Sequence, residues 1–376
     1  MKALTRPTRP APRRPWGVRR LFPQITRAGS ALSLALLVSL AAADDVTDLL
    51  MKGLQASTKV TSIAVQKRPE GPGQPRMVKV FTSPSYGQLT HYLQPLDAQG
   101  RIVYDDRKVR RTFFPDDNKV IEETSNRTYQ WAPDRRIALI RQNYTVRMGE
   151  RTTIAGRSAN EVRIIPRYDS VATHRMWIDR STGFVLRYII EPPTGAAMTV
   201  TDTVSVEFPR QLSRESFRLP LRENTDVLRL WGPQTLASVR ESERFTRINP
   251  PLPRAWPDGF RMEGAQIIGT QSKPILAIRL TDGMTPVSVY IWNTDQHERS
   301  PFRSGPVRLV GVLGINALGG VREDLLKSCV SAVAQSAEWA PERNDIVLTL
   351  PEIVNGTQTR IPEVYVPSSQ RYIGVP

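Results

Sequence analysis

The stretch Met198-Thr-Val-Thr-Asp-Thr-Val-Ser-Val-Glu-Phe208 decides the fold class. Met198, Val200, Val204, Val206 and Phe208 alternate with Thr199, Thr201, Thr203, Ser205 and Glu207. A period of two over this length marks a half-buried strand, and half-buried strands belong to antiparallel sheets. Upstream, Trp177-Ile178-Asp179-Arg-Ser-Thr182-Gly183-Phe184-Val185-Leu186 reads as two strands about a tight turn, with Gly183 free to take positive φ. Phe113 to Ile121 is again strand, turn, strand, and Val78 and Val80 alternate with Lys79. From about residue 60 to 210 the chain therefore reads as a meandering sheet. Ahead of it, residues 44 to 54 open with acidic side chains that suit a helix N-terminus, and Val46, Leu49, Leu50 and Leu54 make one apolar face. That short helix is expected to cover the sheet.

The texture changes after residue 208. Pro233 to Glu243 carries helical signals, and Asn249-Pro250-Pro251-Leu252-Pro253 reads as a linker. A second unit starts near Trp256. Ile275 to Leu280 is a strand, Asp282-Gly283 a turn, Val287 to Trp292 a strand and Val307 to Val312 a third. Leu318-Gly319-Gly320 reads as a turn before a long helix over residues 322–338, which carries the single cysteine, Cys329, on its core face. Beyond Ala340 no strong period is present, and one added strand is expected near Ile346-Val347-Leu348. The chain thus divides into 1–43, 44–220, 221–255, 256–340 and an extended tail, 341–376.

Residues 1–43 hold eight Lys or Arg and no acid. The apolar block Ala31 to Leu40 follows, and then Ala41-Ala42-Ala43. This reads as a cleavable signal peptide, since about 13 apolar residues are too few to span a bilayer, which needs roughly 20. The route, general secretory or twin-arginine through Arg19-Arg20, stays open. Removing these residues lowers the net charge of +16 to +8, spread thinly as single arginines and short pairs. That argues against nucleic acid and leaves room for attraction to anionic lipid.

No catalytic or metal-binding constellation stands out. His91, His174 and His297 share no short window, and His174 reads as a surface residue on a strand. One cysteine allows neither an intramolecular disulfide nor a cysteine zinc site. Phosphate-binding glycine loops and nucleophile elbows are absent. Asp116-Asp117 and Asp105-Asp106 read as solvated turns. No catalytic, cofactor or metal residue is assigned, and the chain reads as a binder, not an enzyme. The aromatics of the β segments suggest the site: Phe81, Tyr92, Phe113, Tyr129, Trp131, Trp177 and Tyr188 are candidates to line an apolar ligand cavity.

Several of these segments resemble the MucB/RseB family. They are the Leu49-Leu50 helix, Ile154-Ala155-Gly156-Arg157-x-Ala159, and Trp177-Ile178-Asp179 followed by Thr182-Gly183-Phe184. In the second unit they are Pro257-Asp258-Gly259-Phe260, Thr281-Asp282-Gly283-Met284, Val287 to Ile291, Val310-Gly311 and the closing helix. The resemblance implies an α+β protein: a LolA-like incomplete antiparallel β-barrel with helical cover, then a small α+β domain. It also implies a periplasmic, non-catalytic regulator of the envelope stress response. Such a regulator binds the periplasmic part of a membrane anti-sigma factor and answers to lipid or lipopolysaccharide. A carrier of lipid or lipoprotein acyl chains is the alternative, and a passive scaffold a third reading. Asp282, Ser288, Tyr290 and Trp292 are expected on the partner surface. The oligomeric state is left open.

Overall fold

A computed structural model describes residues 45–69, 76–94, 98–125, 132–230, 233–297 and 300–338. The signal-peptide reading, Tyr129, Trp131 and the tail strand near Ile346 lie outside these residues. Among the described residues no helix is long and apolar enough to cross a membrane.

Helix α1 (residues 45–59) is followed by β1 (Ser62–Arg68), β2 (Arg76–Ser83), β3 (Gly87–Gln94), β4 (Ile102–Asp105), β5 (Val109–Phe114) and β6 (Lys119–Thr124). Helix α2 (Pro133–Asn143) then leads into β7 (Tyr144–Ile154), β8 (Arg157–Pro166), β9 (Thr173–Asp179), β10 (Val185–Glu191) and β11 (Met198–Glu207). With β12 (Asp226–Arg229) they form one 12-stranded sheet, ordered β12-β6-β5-β4-β3-β2-β1-β11-β10-β9-β8-β7. All neighbours are antiparallel except β12, which runs parallel to β6. The two end strands do not pair, so the barrel is incomplete, as expected.

The helices cover one end of this sheet. Val46, Leu49 and Leu50 of α1 and Ile137 and Ile140 of α2 pack on Val162, Ile164, Met176 and Ile178. The predicted turn at Gly183 has φ +78°, and a Cβ there would meet the backbone of Lys52 at 3.1 Å, so glycine seats α1 on the hairpin. Strand β11 forms where the alternation places it, yet its burial is out of phase with that alternation. Thr203 is 3% exposed and Val204 is 48% exposed. Bulges in β11, at Val204 opposite Val65/Gln66 and at Val200 opposite Tyr188/Ile189, reset the phase along the strand. The buried Thr203 hydroxyl accepts from Gln66 Nε2 at 3.4 Å.

Helix α2 interrupts what read as continuous β structure. Pro133 at its start and Asp134 in its first turn are ordinary helix openers. The stretch read as linker contributes an edge strand to each sheet: β12 to the first, and β13 (Gln234–Leu236) to the second. The helical reading of Pro233 to Glu243 thus begins as a strand. The 3-10 turn Val239–Ser242 and the single-turn α3 (Glu243–Thr246) follow, and Arg247, with φ +57°, ends them.

The second sheet contains β13, β14 (Arg261–Gly269), β15 (Pro274–Thr281), β16 (Pro286–Asn293), β17 (Val307–Val310) and β18 (Leu313–Gly319). Its order is β13-β14-β15-β16-β18-β17. Leu318 and Gly319, read as a turn, close β18 instead. Helix α4 (Glu323–Glu338) lays Leu325, Leu326, Cys329, Val330 and Val333 on Val287, Val289, Ile291 and Ile315. Cys329 is fully buried, and burial, with Asp258 nearby, pushes its thiol pKa up to about 12.

Candidate functional site at the joint between the sheets

The β15–β16 turn leaves the second sheet and enters the first. Its sequence explains its shape. The Asp282 carboxylate folds back to accept from the amides of Met284 at 2.9 Å and Thr285 at 2.7 Å, a side-chain-closed turn typical of aspartate. Gly283, at φ +105°, lies against α2, where a Cβ would meet Ile140 N at 3.0 Å. The close approach excludes any side chain. Met284 joins the apolar cluster under α1 and α2.

Polar side chains of the first sheet meet this turn. Tyr144, at the junction of α2 and β7, donates its hydroxyl to Asp282 at 2.5 Å. His174 on β9 places Nε2 at 3.2 Å from the Thr285 hydroxyl and Nδ1 at 2.7 Å from the Tyr188 hydroxyl. Arg136 Nε donates to the Gly283 carbonyl at 2.7 Å. Asn143 Nδ2 donates to the carbonyls of Asp282 at 3.0 Å and Gly259 at 3.2 Å. A second contact lies beside the first: Ser170 donates to Asp258, and the amide of Arg322 donates to the Ser170 carbonyl at 2.9 Å.

Burial sets the protonation of this cluster. Desolvation first, and then the Arg136 charge, lower the His174 pKa to about 3, so its imidazole is neutral at physiological pH. Desolvation raises Tyr144 and Tyr188, which stay protonated. The Asp282 carboxyl is pushed up by burial, against the opposing hydrogen bonds from Tyr144 and the Thr285 and Met284 amides.

The residues expected from sequence fall out differently. Asp282, Tyr290 and Trp292 are buried, and Ser288 is half-buried, so they offer no open partner surface. Asp282 ties the two sheets together. Tyr290 and Trp292 pack with Ile275 and Ala277 and are covered by Phe302, whose ring centre lies 4.4 Å from that of Tyr290. His174, read as a surface residue, is 2% exposed, because β9 turns it toward α2 and the incoming turn.

The candidate cavity residues do not meet in one chamber. Tyr188 reaches the helix-covered side. Trp177 alternates with Met176 and Ile178 and so lies on the opposite face, with the Arg175 and Arg187 guanidinium groups 4.9 and 5.7 Å from its ring. Phe81 and Phe113 pack with Leu212 and Phe217. Tyr92 sits with Arg101 at 4.0 Å from its ring. A surface cavity of about 410 Å³, lined by Arg151, Arg157, Asp179 and Arg180 among others, lies at the β7–β8 hairpin. Its Arg157 is already paired with Asp179 at 2.8 Å. Among the described residues no cluster of His, Cys, Asp or Glu could hold a metal ion.

Sequence reasoning missed Arg136, Asn143, Tyr144, His174, Met284 and Thr285 as joint residues. The available signal was the coincidence of an aspartate-glycine turn with a second glycine motif, Asp258-Gly259, in one unit.

Residues 71–220 match the family model of the MucB/RseB N-terminal domain. Among solved structures, the Pseudomonas aeruginosa MucA/MucB complex contains a chain 13% identical to this one. The match covers 77% of this chain and 97% of that one, with a TM-score of 0.52. MucB in complex with MucA(peri) is 12% identical, covering 76% of this chain and 96% of that one, with a TM-score of 0.50. No curated protein matches the chain significantly. At such identities the structures speak for the fold alone, and that fold includes both sheets. Residues 71–220 thus resemble the MucB/RseB N-terminal domain, and the overall fold is similar to that of MucB.

Proposed function

We propose that this chain is a periplasmic, non-catalytic regulator that binds the periplasmic part of a membrane anti-sigma factor. The supporting observation is the extent of the likeness: 97% of the MucB-complex chain is covered, so both sheets are included. A simple carrier needs only the barrel. In this reading residues 44–220 form the carrier-like unit and residues 256–340 the unit that a carrier lacks. The signal peptide of residues 1–43 delivers the chain to the periplasm, and lipid or lipopolysaccharide acts as the releasing signal.

The alternative, a carrier of acyl chains, is favoured by one feature: the helices pack over the sheet mainly through aliphatic side chains. One experiment separates the two. The tagged chain is captured from a gentle envelope extract of its own host, and everything that co-purifies is identified. A single-span protein with a short cytoplasmic sigma-binding domain supports the regulator. Lipid or lipoprotein without such a partner overturns it in favour of the carrier.

A further inference from the structure

We propose that the free edge of β7, with the arginine-lined cavity at its hairpin end, is a docking groove for an extended acidic peptide. The peptide adds to the first sheet as a further strand and places one carboxylate in the cavity. The inference goes beyond the proposed function and does not depend on which protein supplies the peptide.

Strand β7 is 11 residues long and stands at one end of the sheet order, with β8 as its single neighbour. Ala155 and Gly156, at φ +50° and +72°, make the two-residue turn into β8. Ile154 and Arg157 therefore face each other as the closing hydrogen-bonded pair. In an antiparallel ladder such pairs alternate with pairs whose backbone groups point away from one another. Arg151 and Thr153, opposite Asn160 and Ser158, are of the second kind, so their N–H and C=O groups are directed to the unpaired side. Residues 151–153 are exposed. A bulge between Met148 and Arg151 ends the regular stretch, so the groove takes a short strand.

The cavity of about 410 Å³ lies where this edge ends, between the β7–β8 turn and the neighbouring β9–β10 turn. Its lining carries three arginines, Arg151, Arg157 and Arg180, and a single carboxylate, Asp179. That carboxylate is fully engaged. One oxygen accepts from Arg157 Nε at 2.8 Å, and the other from the amides of Ser181 and Thr182 at 3.0 and 2.8 Å. Burial alone would raise its pKa, but hydrogen bonds from Arg157, the Ser181 hydroxyl and Thr182 hold it at about 2, so it stays ionised and balances Arg157. Arg151 Nε donates to the Ser158 hydroxyl at 3.0 Å, and among the described residues neither Arg151 nor Arg180 has a carboxylate partner. Two positive charges are left at the cavity. A second copy of this chain does not answer them, because edge-to-edge pairing would bring two such arginine sets together. A peptide carboxylate does, since it can take a guanidinium bidentately. Main-chain pairing with Arg151 and Thr153 supplies affinity, and the cavity supplies the preference for acid.

The test uses the full chain and a fluorescein-labelled peptide of about eight residues that alternates valine with aspartate and threonine, read by fluorescence anisotropy. Arg151→Glu with Arg180→Glu, both at exposed positions, is expected to weaken binding about tenfold. Thr153→Pro removes an outward N–H and leaves the β7–β8 ladder intact, and is expected to weaken binding to a similar degree. Arg218→Glu, at a remote side chain that is 82% exposed, should change nothing. The same peptide with lysine for aspartate should bind more weakly than the acidic one. Bound acidic peptide should slow hydrogen exchange at the Arg151 and Thr153 amides. No binding by the parent, an equal loss in Arg218→Glu, or binding that leaves those two amides unprotected and ignores Thr153→Pro overturns the proposal.

Discussion

Replacing Tyr144 with Phe deletes one oxygen at the joint and keeps the ring, which is 2% exposed and packed under α2. The lost hydroxyl donates to Asp282 at 2.5 Å, and Asp282 is 1% exposed, so no water takes its place. A hydrogen bond to a buried charged group is worth about 1.5–3 kcal/mol. Asp282→Ala removes more: it strands the Tyr144 hydroxyl and the amides of Met284 and Thr285. Its expected cost is about 3–5 kcal/mol, from unsatisfied buried groups at roughly 1–3 kcal/mol each with partial relaxation. The informative quantity is the double variant. If both residues act through one bond, Tyr144→Phe costs almost nothing once Asp282 is gone, and the cycle closes with a coupling of about 2 kcal/mol. Urea unfolding of the four proteins, followed by tryptophan fluorescence, measures it. Costs that add to within about 0.5 kcal/mol would refute the reasoning, because additive sites do not share an interaction.

Three further outcomes are expected. His174 has a folded-state pKa of about 3 against an ordinary 6.5, so the unfolded chain binds more protons between those values and stability falls as pH falls through that window. His174→Gln should flatten the decline by up to about 1.4 kcal/mol per pH unit, read from urea midpoints between pH 6.5 and 4; an unchanged slope would place the titrating group elsewhere. Cys329 should resist a thiol reagent at pH 8 in the native protein and react fully in denaturant, since it is buried with its pKa pushed up to about 12. Gly183→Ala should loosen α1, because its φ is +78° and the new Cβ presses on the Lys52 backbone at 3.1 Å; hydrogen exchange confined to residues 45–59 would show it, and unchanged exchange there would contradict this view of how α1 is seated.

Legibility in the sequence followed the length scale of the interaction. The hairpins about Gly183 and Asn118 could be read because turn chemistry and alternation are local, and both formed where expected. The docking face of α1 could be read for the same reason. Burial on β11 could not, because extra residues at Val204 and Val200, set by its pairings with β1 and β10, shift its phase, and the alternation of β11 alone does not mark them. The helical signals near Pro233 lost to an edge-strand position that only the second sheet supplies. Asp282 was singled out, but as exposed, since a turn between strands is ordinarily solvated. Its burial comes from residues 138 positions away in the chain. Trp177 fits the same rule. Its size marked it as buried, while its face, turned from the helices and flanked by Arg175 and Arg187, follows from register.

The chemistry of the joint says what kind of contact it is. A permanent union of two domains is commonly sealed by apolar area, which weakens gradually as parts of it separate. Here the turn is held by Tyr144, Asn143, Arg136, His174 and Asp282, with Met284 as the aliphatic anchor. Buried polar groups are tolerated when all are satisfied and are costly when a few are not. A half-open joint, with Asp282 stranded from Tyr144 and still shielded from water, is therefore the least stable arrangement available. Fully docked and fully hydrated are the two in which Tyr144, Asp282, His174 and Arg136 all have partners, Asn143 Oδ1 being the one joint acceptor left without one on docking. A contact built in this way closes or opens as a unit, and the second sheet meets α1 and α2 through the turn of six residues, Thr281 to Pro286, together with the Asp258-Gly259 contacts beside it.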